Sequence, residues 1–479
     1  MSAGAARRAR LFIGGTWSDG DGRPLDVIDK YTGAVIGTVE SAGRDQVVAA
    51  VAAARRSFEQ SPLDPQQRYQ ILHETAALIE RHRVELASLI TAEGGLPRTD
   101  AANEVGRAVQ TFLVSAEEGK RLSGEIVPIE GAPGQAHRMA FTIRVPRGVV
   151  CGITAFNSPL NMVCHKIAPA LASGNTVVIK PSEVAPLTGT RLVELLLEAG
   201  LPSGHVNLVH GPGAELGPWL VEHPDISFYA FTGSTRVGTW LHQRAGLRPV
   251  ALELGSISAT IVCEDGDLDR AAARSVASAF RRAGQMCTST QRLFVHDDVF
   301  AAFTARLIRA TQALKVGDPR DEATDVGPMI SEREAIRAES WVREAIAGGA
   351  TLLHGGRRDG AVLHPAILTG VHPSMRVMSE EIFAPVLSMV PFASLDEAIA
   401  QVNATPFGLA AGIFTKDVTR ALTAARRLHV GLVHVNEASS SRVDLLPFAG
   451  VKQSGSGREG PRYAMREMTE ERLITVSLA

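Results

Sequence analysis

Residues 149–156 read VVCGITAF, and short apolar runs return at 176–179 (TVVI), 206–209 (VNLV), 226–231 (ISFYAF) and 250–254 (VALEL). Brief runs bounded by turn residues predict strands, and continuous hydrophobicity predicts strands covered on both faces. Between them, 187–199, 215–222 and 235–245 carry apolar residues at helical spacing. Strand–helix alternation of this kind predicts a parallel sheet with helices on its faces, an α/β nucleotide-binding architecture.

A second series begins beyond Gly255, with a strand at 258–262, a helix over 268–282, a strand at 292–295 and a helix over 300–314. The change near Gly255 reads as a domain boundary. Upstream, 45–58 and 66–92 read as amphipathic helices. Two segments, 125–144 and 469–478, alternate apolar and polar residues outside this rhythm. They are expected to be edge strands that pair with each other or with another subunit.

A chain of 479 residues exceeds what one hydrophobic core supports, so two or three domains are expected. Its 49 basic and 51 acidic residues nearly balance, which argues against bulk nucleic-acid binding or a polybasic membrane surface. The N-terminal stretch lacks the apolar core of a secretory signal, and no apolar run approaches a membrane span. Four widely spaced cysteines, Cys151, Cys164, Cys263 and Cys287, resemble neither a metal site nor a disulfide framework. A soluble cytoplasmic protein without a bound metal is the expectation.

Cys287 stands out among the four, in Ala283-Gly284-Gln285-Met286-Cys287-Thr288, a glycine-containing loop after a predicted helix. A thiolate there could add to an aldehyde as a thiohemiacetal. A lone cysteine is more often a packing residue, and the other three read that way. Glu253 ends an otherwise apolar strand, where burial would raise its pKa and suit a general base, or where it could pair with a buried arginine. Asn157 follows the strand at 149–156, so its amide could donate to an oxyanion, although an asparagine before Ser-Pro is also ordinary turn chemistry. Phe231-Thr232-Gly233-Ser234-Thr235-Arg236-Val237-Gly238 puts glycines and hydroxyls between a strand and a helix. Such a turn can hold a pyrophosphate or simply cap the helix, and it is not the GxGxxG fingerprint.

These stretches occur in one order. Asn157 in FNSPL, Lys180-Pro181-Ser182-Glu183, FTGSTRVG, Glu253 in ELG and Cys287 in GQMCT jointly resemble the aldehyde dehydrogenase superfamily. Residues 380–385 (EEIFAP), 407–410 (FGLA) and 454–459 (SGSGRE) extend the resemblance, as does Phe12-Ile13-Gly14-Gly15 near the start. The resemblance implies a Rossmann-like cofactor domain (1–123 and 147–254), an α/β catalytic domain (255–446) and a small β oligomerisation or bridging element (124–146 and 447–479). It implies homodimers or homotetramers built through paired edge strands.

By the same resemblance Cys287 is the nucleophile, and Glu253 the base that activates the hydrolytic water. Asn157 with the Cys287 backbone N–H forms the oxyanion hole, and Lys166 and Glu459 serve proton transfer. Lys180 and Glu183 contact the adenosine ribose, Ser234 the pyrophosphate and Glu381 the nicotinamide ribose, with Phe383 beside the nicotinamide. Thr154, Ala155, Phe156, Ser182, Gly213, Phe231, Gly233 and Leu254 complete the expected cofactor site. The acid at Glu183 would repel a 2′-phosphate, so NAD is expected, with NADP the alternative.

Residues 439–448 and 458–465 resemble a subgroup that includes lactaldehyde and phosphonoacetaldehyde dehydrogenases, and ELGS in place of ELGG points the same way. Met286 and Ser158 stand where the phosphonate branch has arginine and histidine, which removes two partners of a dianion. Arg107 and Arg442 are left as candidate anchors, unless one is a solvated helix residue and the other a structural ion pair. Met162, His165, Met286, Thr288 and Ser289 are expected on the substrate side. The expected substrate is a small hydroxy-, oxo- or phosphono-substituted aldehyde, oxidised to its acid. Ala384, Ala449 and Ser256-Ile257 depart from the usual glycines and Gly-Lys without removing a reacting group.

Three rivals remain. A CoA-acylating semialdehyde dehydrogenase would have little use for a base at Glu253. A repurposed member would not need Cys287, Glu253 and Asn157 together. A cysteine hydrolase would need a histidine paired with Cys287.

Overall fold

The computed structural model describes residues 7–478. Residues 1–6, part of the stretch read for an apolar leader, lie outside them, as does residue 479. An eight-stranded sheet runs in the order Gly455–Ser456, Val250–Glu253, Ile226–Thr232, Val149–Ile153, Thr176–Lys180, Val206–Leu208, Leu11–Ile13, Thr16–Ser18. Its five central strands are parallel, and those added at either end are antiparallel. Strand side chains alternate between faces. Val150, Val177 and Ile179 enter a core shared with the helices Pro65–Arg81, Arg98–Gly119 and Asn161–Ala172, while Val149, Cys151 and Val178 enter a second core under Arg44–Gln60 and Gly213–Val221. Both faces are therefore apolar, which is why these strands read as unbroken runs.

A seven-stranded sheet follows: Thr351–His354, Ala366–Thr369, Val386–Phe392, Arg292–His296, Ala259–Val262, Ala410–Phe414, Leu432–Val435. It is parallel except for the first strand. The two alternating segments pair with each other, Thr469–Ser477 lying antiparallel to Arg138–Pro146. Met139, Phe141, Ile143, Ile474 and Val476 share one face of that ribbon, and none of them is buried. The short strand Gly455–Ser456 joins the edge of the first sheet beside Glu253. A Cβ at Gly455 would sit 2.3 Å from the Leu252 carbonyl oxygen, so only glycine permits this approach.

Two elements differ from the sequence reading. The helix expected over 66–92 is two, Pro65–Arg81 and Arg83–Gly94, restarting at His82, whose N–H bonds back to Leu78 while its Nδ1 meets Glu85. The apolar spacing runs through the break, which hides it. The helix expected to reach 282 stops at Phe280, because Arg282, Ala283 and Gly284 take left-handed φ values of 53°, 52° and 68°. No helix among the described residues is long and apolar enough to cross a membrane.

Candidate active site

Strand ends place one half of the site. Asn157, Ser182 and Glu183, Gly233 and Ser234, and Glu253 all lie at or just beyond the carboxyl ends of parallel strands, where α/β sheets bind ligands. With Cys287, Glu381 and Phe383 from the other half they line a cavity of about 440 Å³. Ala155, Phe156, Met162 and Leu254 line it too.

Ser234 caps the helix Thr235–Ala245, accepting the Val237 N–H at 3.4 Å. Lys180 donates to Glu183 at 3.1 Å, and the Glu183 carboxylate accepts the Gly213 N–H at 3.4 Å. Burial would raise Glu183, but Lys180 prevails and holds it below the usual carboxylate range. The Phe231 ring lies under Gly233, where a Cβ would come within 2.5 Å of it. The hydroxyls of Thr154 and Thr232 are buried without a partner. Glu381 accepts the Ser256 N–H at 2.8 Å, and burial lifts its pKa to about 7. Phe383, at φ 49°, meets Phe156 edge-on with ring centroids 6.0 Å apart.

Cys287 is half-buried, whereas the other three cysteines are fully buried. Burial pushes its thiol up to about 12; Arg442 opposes this, and Glu253, Glu381 and Glu459 add to it. Asn157 Nδ2 donates to the Gln285 carbonyl at 2.8 Å, which fixes the amide and leaves its second N–H uncommitted. Glu253 is 5% exposed, and neither of its carboxylate oxygens has a partner. Burial first, then the neighbouring Glu459, raises it well above the usual range. Glu459 takes the opposite course. Burial would raise it, yet Lys166 at 2.7 Å, His165 and Arg442 carry it well below. No histidine is hydrogen-bonded to Cys287 among the described residues, so the arrangement a cysteine hydrolase would need is not formed.

Neither candidate anchor is free. Arg107 makes a two-pronged pair with Asp444 at 3.0 and 2.7 Å, and is not a solvated helix residue. Asp444 also meets His165 Nε2 at 2.9 Å and the Asn161 amide at 3.2 Å. Arg442 pairs with Glu459 and lies 4.0 Å over the Phe448 ring. Met286 Sδ is 3.5 Å from Arg281, and Thr288 donates to Ser440 at 3.3 Å. Ser289 donates to the carbonyls of Ser278 and Ala279, so its hydroxyl finishes a helix end. Asp444→Ala would strand Arg107 and His165. We expect it to cost about 3 kcal/mol or more in chemical denaturation, and an unchanged midpoint would contradict that.

Sequence reading missed Arg281, Arg282, Glu104 and the 330–337 stretch that lines the same cavity. Helical spacing carries Arg282 to the end of a helix. Glu104 lies far from it in sequence, and no local pattern announces that the two meet. Cys263, Glu264 and Asp265 lie close enough to share an ion, but both carboxylates hold Arg420.

The family model described as "Aldehyde dehydrogenase family" matches residues 17–474. A 3-sulfolactaldehyde dehydrogenase from Priestia megaterium is 46% identical over 468 residues, 98% of each chain. An NAD-dependent aldehyde dehydrogenase from Sinorhizobium meliloti superposes with a TM-score of 0.96 at 36% identity, covering 99% of this chain and 96% of that one. An NADP-dependent glyceraldehyde-3-phosphate dehydrogenase from Bacillus halodurans, complexed with NADP, does so with a TM-score of 0.96 at 36% identity, covering 99% and 100%. The chain belongs to the aldehyde dehydrogenase family. It is an oxidoreductase of the α/β fold that family shares.

Proposed function

We propose that this enzyme oxidises a short, hydroxy-substituted aldehyde carrying at most one negative charge to its carboxylic acid, with NAD as acceptor. The observation that carries the reading is the meeting of Cys287, the fixed amide of Asn157 and the unpartnered carboxyl of Glu253 at one end of a single cavity. The other end suits a dinucleotide. Ser234 at a helix start, the bare Gly233, the unpartnered Thr154 and Thr232 hydroxyls, and Glu381 offer donors and acceptors for phosphates and ribose. When bound, the nicotinamide supplies the hydride acceptor. Glu183 supports NAD over NADP, because its carboxylate, held ionised by Lys180, would face a 2′-phosphate.

Cys287 loses its proton to solvent and adds as the thiolate to the aldehyde carbon, and the oxyanion is met by the second Asn157 N–H and the Cys287 backbone N–H. Loss of hydride leaves a thioester on Cys287. Glu253 takes a proton from the attacking water, the carbon–sulfur bond breaks, the acid departs and the thiolate is regenerated. Lys166 and Glu459, joined beside Glu253, would carry that proton onward.

Charge balance supports the limit on the substrate. On this side Arg107 is already paired with Asp444, and Lys166 and Arg442 with Glu459, so each cation has its own carboxylate neighbour. A phosphonate dianion finds both arginines already paired, which argues against the phosphono substrate expected earlier as one option. The exposed apolar face of Met139, Phe141, Ile143, Ile474 and Val476 supports self-association into a dimer or tetramer.

The test is an aldehyde panel read by NAD(P)H absorbance, without CoA, using lactaldehyde, 3-sulfolactaldehyde, succinate semialdehyde and phosphonoacetaldehyde. We expect the hydroxy-aldehydes to lead, phosphonoacetaldehyde to trail by at least tenfold in kcat/KM, and NAD to exceed NADP. Dependence on CoA, or phosphonoacetaldehyde in first place, would overturn the reading.

A further inference from the structure

We infer that Arg282, clamped by Glu104, is a positioning residue that sets the Asn157 amide for oxyanion stabilisation. The inference rests on the aldehyde-oxidising reading of the site and adds to it two residues that never touch the substrate.

Arg282 lies five residues before Cys287, at the first of the three left-handed positions that carry the chain from the helix Leu268–Phe280 into the nucleophile loop. This conformation turns a guanidinium inward where a helix would have pointed it elsewhere. The arginine is 6% exposed. Its Nη1 donates to the Asn157 carbonyl at 2.9 Å and to the Ser158 hydroxyl, and lies 3.2 Å from Glu104 Oε2. The other Glu104 oxygen accepts the N–H groups of Leu160 and Asn161 at 2.9 and 3.2 Å. One fully buried ion pair thus holds 157–158 by the arginine and 160–161 by the glutamate. The grip closes from the other side, since Asn157 Nδ2 donates to Gln285, three residues after Arg282.

Asn157 is therefore fixed at its backbone by Arg282 and at its side chain by Gln285, with one N–H left to meet a developing negative charge. A donor pre-set in this way stabilises the oxyanion without reorganising, and small misplacements of such groups cost large factors in rate. Lysine would keep a charge near Glu104, but its side chain is one bond shorter and its nitrogen falls short of the Nη1 position from which Asn157, Ser158 and Glu104 are all reached. It would leave Asn157 tethered only at its amide.

The experiment compares wild type with Arg282→Lys by stopped-flow NAD(P)H formation in the first turnover, by steady-state kcat and KM, and by the rate of Cys287 alkylation with iodoacetamide. Alkylation needs the thiol but no oxyanion hole. We expect the first-turnover rate to fall about tenfold to a hundredfold. KM for aldehyde and the alkylation rate should stay within about twofold of wild type. In an Asn157→Ala background the same substitution should add less than about twofold, because the two act through one group. If Arg282→Lys does not fold, Arg282→Met with Glu104→Gln removes both charges while keeping an acceptor for Leu160, and answers the same question. An unchanged first turnover overturns the inference. So does a parallel fall in alkylation, which would mean that Arg282 merely holds the loop together. Failure of the wild type itself to form NAD(P)H from any aldehyde is a different result, and would remove the underlying reading.

Discussion

Cys287→Ala should abolish aldehyde oxidation while leaving dinucleotide binding intact. Cys287 is the one half-buried thiol of four, and it alone lines the cavity. Without it no covalent intermediate forms, and losses on removing a nucleophile run to about four orders of magnitude or more, roughly 5.5 kcal/mol of barrier. Ser234 and Glu183, proposed for the dinucleotide, are held by Val237, Lys180 and Gly213 and not by the cysteine, so the Kd for NAD should stay within about twofold. NAD(P)H absorbance with aldehyde and fluorescence titration with dinucleotide measure the two quantities. Aldehyde oxidation that persists in the variant would sink the assignment of Cys287.

Glu253→Gln should divide the reaction in two. The substitution keeps shape and removes the proton acceptor, so first-turnover NAD(P)H formation should remain within severalfold. Steady turnover should fall about a hundredfold to ten-thousandfold, as acyl-enzyme waits for water. The pH dependence carries the sign. Burial holds Glu253 well above the ordinary carboxylate range, so it is protonated at and below that raised value and accepts protons only above it. Wild-type deacylation should therefore climb with pH, and the glutamine variant should lose the climb. Glu459, held far below the usual range by Lys166 and Arg442, stays ionised throughout and supplies no competing limb. A variant whose deacylation still rises along the wild-type curve would show that another group takes the proton.

The legible parts of the molecule are those where one local pattern has one physical meaning. The strands at 149–156, 176–179 and 250–254 announced themselves because burial on both faces forces a continuous apolar run. Thr235–Ala245 was found from its Ser234 cap and its apolar spacing. Cys287, Glu253 and Asn157 were reached through loop position and family motifs, and the structure brings all three to one cavity. Illegible were the features that depend on partners distant in sequence. Arg107 and Arg442 read equally as anchors for an anion or as a solvated and a paired residue, because their acids, Asp444 and Glu459, cannot be recognised as partners from spacing. Periodicity could not end the helix at Phe280, since the left-handed turn after it involves two non-glycine residues that carry no turn signal. The two-residue strand at Gly455–Ser456 is too short for any periodicity to show.

That last strand has a consequence in the time of synthesis. The edge beside Glu253 comes from 455–456, the acid shared by Lys166 and Arg442 is Glu459, and the ribbon against Arg138–Pro146 is closed by Thr469–Ser477. A growing chain that has passed Cys287 carries the reactive sulfur but none of these pieces. Until they emerge, Leu252 and Glu253 lack an edge partner, and Lys166 and Arg442 lack their counter-charge. Domains fold as the ribosome releases them, yet this site draws its final parts from residues that emerge long after its thiol. Competence toward aldehydes therefore waits for residues 455–477, and a chain that stops short of them holds its thiol without the groups that would let it turn over.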